Sequence, residues 1–433
     1  MTPTADDRTI ILGGGLAGLS AGMYSGAPVY EANGEVGGVA ASDTVDGFTF
    51  DRGIHILQTT SGKVLDLLAE IGVRLETHQR NAFIFSRGTY TPYPFQVNTA
   101  GLPLGLRAHC VWSFLNRSAN KTSPTNYEEW MYRTLGKGFA RTFLIPYSEK
   151  FWTIPPREMT FEWTGNRVPR PNVWQVLRGA VWNKQTKIGT NVDFRYPVSG
   201  VGYGTIARAL ADRVGEVHLG HRATSVDVDS RRVHFDNGAD VPYDSLISTI
   251  PLPRLVGMSP NAPERVRAAA AKLRTNAIMV VNLGIDRPAI SDRHWVHFPE
   301  KDVSFFRISY PHNFAENVTP PGMSSISAEV AYDRREPPDA SALARRVKDD
   351  LIRVGAMDAD APVVTTLTRD IPYAYCIYDM HRGAAVKTIR AWLAAARIIP
   401  AGRYGLWSYF WSDEAILSGR NAAQKVYKMR EAA

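Results

Sequence analysis

The first strongly patterned stretch is a run of three apolar positions at 10–12 (Ile-Ile-Leu). Glycines follow at 13, 15 and 18, then a stretch of small residues, then a second apolar run at 28–30 that ends in Glu31. This order predicts strand, tight turn, helix and strand. Apolar residues at helical spacing (Val64, Leu67, Leu68, Ile71) predict a helix over 61–73. Residues 47–55 predict a short aromatic strand and a glycine-rich bend. Residues 89–99 hold too many prolines and aromatics for a regular helix and are expected to mark the crossing into a second domain. The stretch 100–190 reads as mostly helical, interrupted by a loop at 146–156 and by the segment 165–171. A glycine-rich connector is expected at 194–204 and a helix at 205–214. Residues 215–250 alternate as strands, with Asp236-Asn237-Gly238 as a hairpin turn. Residues 276–332 are strand-rich, and NAIMVVNLGI in that stretch reads as a buried run. Amphipathic helices are expected at 340–355 and 386–397, and the last thirty residues predict a short strand, a glycine turn and a helix.

A chain of 433 residues exceeds one typical domain. The expected fold class is α/β: a Rossmann-like dinucleotide-binding domain with an inserted substrate domain, part helical and part mixed sheet. The dinucleotide domain is expected to be discontinuous, drawn from 1–95, 213–265 and 395–433. The substrate domain is expected to take 96–212 and 266–394.

The glycine spacing carries specific chemistry. Gly13 permits the tight turn, Gly15 lets a pyrophosphate approach the backbone, and Gly18 lets helix and strand pack closely. The helix N-terminus that begins near Leu16 and Ala17 offers free N–H groups to phosphate. Glu31, followed by Ala32, can accept hydrogen bonds from an adenosine ribose. The pair Gly37-Gly38 sits where the chain must pass the pyrophosphate again. A bend at Gly53-Ile54-His55 then follows where a simple dehydrogenase would alternate strand and helix. This start resembles that of the amine-oxidase-like flavoprotein superfamily, a resemblance that implies FAD rather than a nicotinamide cofactor. Near the C-terminus, Gly402-Arg403 ends a strand, and Ser412 or Asp413 caps a helix running on through Ala415 and Ile416. A helix N-terminus aimed at the flavin pyrimidine would stabilise an anionic reduced flavin.

Composition narrows the partners. Hydrophobic content of 44% and charged content of 21% describe an ordinary globular protein. The net charge of +8 is carried without any run of lysines and arginines, so a nucleic-acid-binding role is not expected and an anionic cofactor or substrate is. Two isolated cysteines, Cys110 and Cys376, give neither a disulfide framework nor a metal site. The opening residues show no signal-peptide pattern and no apolar run reaches about 18 residues, so a cytoplasmic enzyme without a membrane span is expected.

The segments just described resemble the amine-oxidase-like flavoprotein superfamily. Within it, several resemble UDP-galactopyranose mutases: 93–99 (YPFQVNT), 147–152 (YSEKFW) with 155–158 (PPRE), 166–169 (NRVP), 298–314 and 402–413. They occur in the same order along most of the chain. The resemblance implies FAD, and a chemistry in which N5 of the reduced flavin attacks an anomeric carbon with no net redox. It implies Arg307 as a clamp for a substrate diphosphate, Arg167 as a second with Arg170 as a rival, and His55 beside the flavin ring. It also places Arg403 near the FAD phosphates and Val226 on a strand whose backbone holds the adenine. Tyr373, Tyr375 and Tyr378 cluster after Pro372, and strand alternation would put Tyr373 and Tyr375 on one face, with Tyr373 toward the substrate. Two features depart from the mutase pattern. Trp407 stands where a diphosphate-binding tyrosine is expected, and 194–204 resembles protoporphyrinogen-oxidase-like proteins. Three readings therefore stand: a mutase-like enzyme on a nucleotide sugar or sugar-like molecule, an oxidoreductase passing hydride from a substrate C–H to N5, and a non-catalytic FAD-binding protein.

Overall fold

The computed structural model describes residues 8–117, 123–165, 167–182, 185–189, 192–198 and 201–431. A parallel five-stranded sheet forms from distant parts of the chain, in the order Ile398–Pro400, Ser245–Ser248, Thr9–Leu12, Val29–Tyr30, Val217–His218. Its central strand, Thr9–Leu12, is buried at all four positions, as expected for a parallel strand covered on both faces. Helix Leu16–Ser25 follows directly and packs on the last helix, Ser412–Glu431. The contact is close because Gly419 faces the first helix: a Cβ there would lie 2.1 Å from the Ala17 carbonyl oxygen. An antiparallel three-stranded sheet, Ala223–Asp227, Arg232–Phe235 and Asp240–Pro242, is joined by the turn at Asp236–Gly238, where Gly238 takes φ +86°.

A seven-stranded mixed sheet forms the second layer, in the order Val363–Ile371, Asn276–Ile285, Ser324–Asp333, Arg307–Ser309, Trp295–His297, Ala82–Ser86, Thr89–Pro92. Asn276–Ile285 is the apolar run NAIMVVNLGI, and all ten of its residues are buried between two partner strands. Helix Ala340–Arg353 covers one face through Leu343, Val347 and Leu351. The strands Ala82–Ser86 and Thr89–Pro92 pair into this sheet, although they lie inside the stretch 1–95 expected in the dinucleotide domain. Helices Leu104–Leu115, Tyr127–Phe139, Ile145–Trp152 and Val173–Val181 share a core that includes Phe114, Trp130, Met131, Phe139 and Trp152.

Two expectations need correction, and one strand went unpredicted. The loop expected at 146–156 is mostly helix, Ile145–Trp152. Pro146 follows directly on a π-helical turn, Ala140–Leu144, so its missing N–H falls where the ladder already departs from regular α-helix. The helix stops at Thr153, in the left-handed conformation with φ +60°. The connector expected at 194–204 begins as a strand, Asp193–Pro197, paired antiparallel with Leu75–Gln79; residues 199–200 of that stretch lie outside the described residues. Strand Val363–Ile371 gave no signal that stood out from its polar neighbours: it is an edge strand, half-exposed along most of its length.

The close helix contact makes a direct prediction. Gly419→Ala should lower stability by on the order of 3 kcal/mol, because a Cβ meets backbone that cannot yield. Gly383→Ala, where a Cβ would meet nothing within 4 Å, should leave stability unchanged or slightly raised. Urea denaturation of the two variants checks this; equal midpoints would contradict it.

Candidate functional site

Two adjoining cavities lie between the layers. The larger, about 880 Å³, is a groove that starts at the first glycine turn. Gly13 sits there at φ +103°, and any Cβ would come 2.1 Å from the Thr249 hydroxyl. A Cβ on Gly18 would lie 1.8 Å from the Gly13 carbonyl oxygen, so helix and turn touch through hydrogen alone. Gly15 differs: a Cβ there would meet nothing nearer than the Gly37 carbonyl oxygen at 3.9 Å, and it would project into the groove. Gly37 donates its N–H to the Gly14 carbonyl at 2.8 Å, which brings the second glycine pair against the first turn. Leu16, Ala17, Ala32, Gly37 and Gly38 line the groove with Gly13, Gly15 and Glu31. Helix Leu16–Ser25 begins there with no side chain capping it, so its first N–H groups face the groove. This is a cradle shaped for a dinucleotide pyrophosphate.

Glu31 is buried and already engaged. One oxygen accepts the Gly14 N–H at 2.6 Å, and the other accepts the Asn33 backbone and side-chain N–H groups at 2.9 and 2.8 Å. It braces the glycine turn and retains acceptor capacity toward the groove. At the far end, Gly402, Arg403, Ser412 and Ala415 line the wall. Three residues assigned to the cofactor stand elsewhere. The Val226 N–H already donates to the Met258 carbonyl at 2.9 Å and the residue is fully buried, while Ala223 on the same strand faces the groove. Ile416 is buried in the core, one turn further along the helix than Ser412, which takes the groove-facing position at its start. Asp413 does not line the groove and accepts the N–H of Glu414.

The second cavity, about 280 Å³, shares His55, Arg52, Arg403 and Ser412 with the groove. Arg307 enters from its short strand and pairs with the buried Glu329 through Nε and through Nη2, the latter at 3.0 Å. Glu329 keeps the buried guanidinium charged, and among the described residues no hydrogen bond engages its Nη1. Arg167 lines the same cavity, held by Glu414 at 2.8 Å and by the Tyr409 carbonyl at 2.9 Å. Its rival Arg170 is absent from the wall: it bonds the Gly165 carbonyl and lies over Trp130. Arg403 has no carboxylate partner; it donates to the carbonyls of Phe410 and Ala374 where the two cavities meet. Lys150, within the YSEKFW segment, ties the loop ahead of Arg307 by donating to the carbonyls of Phe298, Glu300 and Phe305.

Tyrosines complete the wall, but not as strand alternation suggests. The strand ends at Ile371, and the following residues lose the extended register. Tyr373 therefore faces the groove and takes a hydrogen bond from Arg334, while Tyr375 lines the smaller cavity. Tyr378 lines neither and accepts the Tyr409 N–H through its hydroxyl. Trp407 is fully buried in the core and lines neither cavity; Tyr409, two residues on, does line one. The apparent loss of a phenol at Trp407 thus removes nothing from the site. The sequence reasoning also missed Glu329 and His297. An acid inside the buried stretch SSISAEVAYD is the signal that could have revealed Glu329; His297 carried none.

Donor accounting fixes several protons. Trp295 Nε1–H donates to His297 Nε2 at 3.2 Å, so His297 carries its proton on Nδ1 and donates it to the Tyr147 oxygen at 2.9 Å. The Tyr147 hydrogen is then directed away from His297, into the cavity that Tyr147 lines. His55 Nδ1 lies 3.0 Å from the Gly53 carbonyl and must donate to it, which leaves Nε2 as an acceptor at the junction of the cavities. Burial, reinforced by Arg403 and Arg307, pushes His55 down to about 4.

A family model described as flavin containing amine oxidoreductase matches residues 26–427. The chain belongs to this family. A structure titled as reduced UDP-galactopyranose mutase is similar at 26% identity, over 98% of this chain and 95% of that one, with a TM-score of 0.93. A putative protoporphyrinogen oxidase from Exiguobacterium sp. 255-15 is 18% identical over 98% and 99% of the two chains, with a TM-score of 0.75. Putrescine oxidase bound to putrescine is 16% identical over 98% and 100%, with a TM-score of 0.68. The α/β fold with a parallel sheet and an inserted mixed sheet is thus that of the flavin-dependent amine oxidoreductases.

His55 yields a test within this site. A depressed folded value means that the neutral ring is retained as pH falls, so any stability it contributes is present above its unfolded value near 6.5 and is lost as pH falls toward about 4. Its imidazole resonances should stay fixed from pH 8 to pH 5. Titration near pH 6.5 would contradict the buried, Gly53-bonded geometry.

Proposed function

We propose that this chain is an FAD-dependent enzyme acting on a nucleotide sugar or closely related anionic sugar, isomerising it without net redox. The observation that carries this reading is the charge of the smaller cavity. Four arginines line it: Arg52 is paired with Glu35 and Asp43, Arg167 with Glu414 and Arg307 with Glu329, while Arg403 is held by the carbonyls of Phe410 and Ala374. The unneutralised guanidinium of Arg403, with the free edge of Arg307 beside it, favours a diphosphate over an ammonium in this space. Guanidinium Nη1 of Arg307 and the hydroxyl of Tyr147 offer donors into the same space, and Tyr375 and Tyr409 add phenols to its wall. Planar forks and phenols suit phosphate oxygens.

The glycine cradle fits FAD by shape, since Gly13 and Gly18 admit no side chain and Gly15 leaves the space of one open. Gly13, Gly15, Leu16, Ala17, Glu31, Ala32, Gly37, Gly38, Gly402, Arg403, Ser412 and Ala415 are the residues that would hold it. Bound and reduced, a flavin supplies a nucleophilic N5 for reaction at an anomeric carbon. The protein's own part is positional. Arg307 and Arg167 fix the diphosphate as a leaving group, and the Tyr147 proton, directed by His297, meets its developing charge. His55 Nε2 accepts a hydrogen bond at the junction of the two cavities.

Two variants test the assignment. Arg307→Ala should weaken UDP binding to the flavin-loaded protein by about 2 kcal/mol or more, measured by calorimetry; unchanged affinity would remove Arg307 from the phosphate site. Gly15→Val should abolish FAD retention while circular dichroism stays that of the wild type, because its side chain enters only the groove. A yellow, FAD-saturated Gly15→Val protein would overturn the cradle.

A further inference from the structure

Seven of the thirteen large apolar side chains exposed among the described residues lie on two helices that touch each other, Leu104–Leu115 and Val173–Val181, or at the cap of the second. They include all three exposed tryptophans: Trp112 (65% exposed), Trp174 (79%) and Trp182 (62%). Each helix buries one face, through Cys110, Ser113 and Phe114 or through Val176, Gly179 and Ala180, and turns the opposite face outward. On the first helix Leu104 and Trp112 recur two turns apart. On the second, Trp174, Arg178 and Trp182 follow at four-residue spacing. A patch of three indoles on a protein surface marks a contact site, since scattered single residues are the rule elsewhere.

The charge around this face is distinctive. Residues 101–127 and 163–192, which contain the two helices, hold eight lysines and arginines and no aspartate or glutamate. They account for the whole net charge of +8, the rest of the chain being balanced. The charge therefore carries no basic run but does carry a basic region. That combination selects among occupants. A two-fold contact would press the exposed Arg178, set between the indoles of Trp174 and Trp182, toward its own copy, and like charges would oppose it. A lipid surface offers an interfacial layer in which indole rings sit with their N–H in the headgroups, and phosphates that attract the basic side chains. Among the described residues no helix is long and apolar enough to cross a membrane, so the contact is one of lying on the surface.

We propose that this two-helix face docks the protein on an anionic lipid bilayer. Trp112, Trp174 and Trp182 enter the headgroup layer, and Arg178 sits over lipid phosphate. The segment Arg167–Pro169, which lines the smaller cavity, leads within a few residues into the second of these helices, so the docked face and the cavity share one stretch of chain.

The test is sedimentation of the flavin-loaded protein with phosphatidylcholine vesicles, with and without phosphatidylglycerol. Binding should require phosphatidylglycerol, fall as salt rises, and shift tryptophan emission to the blue. Replacing Trp112, Trp174 and Trp182 together by serine should weaken it at least tenfold while flavin content and melting temperature stay unchanged. Arg178→Glu, which leaves the indoles in place, should weaken it about fivefold, so the proposal remains testable if the triple variant folds poorly. It is overturned if the wild type ignores anionic vesicles or if both variants bind as it does. It is equally overturned if sedimentation equilibrium shows a dimer that the triple variant converts to monomer, or if the same face binds single-stranded oligonucleotide in preference to vesicles.

Discussion

The site depends on one steric constraint: the turn from the first strand into the first helix has no room for side chains. Gly13 and Gly18 pack against Thr249 and against each other's backbone, and Gly37 hydrogen-bonds to Gly14. Because these contacts are closed, the open face at Gly15 is where this turn leaves room for a ligand, and the helix N-terminus stands behind it. The position of the groove then fixes the rest. Its far end is built by Gly402 and Ser412, brought back from the C-terminal part of the chain by the parallel pairing of Ile398–Pro400 with Ser245–Ser248. The smaller cavity opens where that end meets the mixed sheet.

What distinguishes that cavity is how its charges are balanced. Arg307 and Arg167 each have a carboxylate, whereas Arg403 has only carbonyls. Burying an unpaired cation is costly unless an anion completes it, which supports the anionic ligand proposed above. The paired arginines are also held rigid, which leaves less side-chain entropy to be lost on binding. His297 adds orientation rather than charge: burial, with Arg307 and Arg80 nearby, holds it well below the usual histidine range, and its neutral ring sets the direction of the Tyr147 proton.

Much of this was legible in the amino-acid order, and the misses have physical reasons. The glycine turn, Glu31 and the Gly402–Ser412 wall are local signals, because each depends on residues adjacent in sequence. Helix Ile145–Trp152 was hidden because Pro146 and the flanking prolines read as breakers, although the helix runs on from a π-helical turn that accommodates Pro146. Tyr373 and Tyr375 were separated by the end of a strand that the sequence did not announce. Trp407 was taken for the cavity-facing position because motif alignment does not say which of two nearby aromatics points inward; burial decided for Tyr409. The Arg307–Glu329 pair joins two neighbouring strands, and the Trp295–His297–Tyr147 chain joins residues up to 150 positions apart. No local pattern encodes either.

The most direct measurement is anaerobic turnover of nucleotide sugars by the dithionite-reduced, FAD-loaded protein, followed by flavin absorbance and product analysis together. The account predicts many turnovers of an isomerised sugar while the flavin stays reduced. Inactivity of the reduced protein, with stoichiometric bleaching of the oxidised flavin by a substrate, would contradict it.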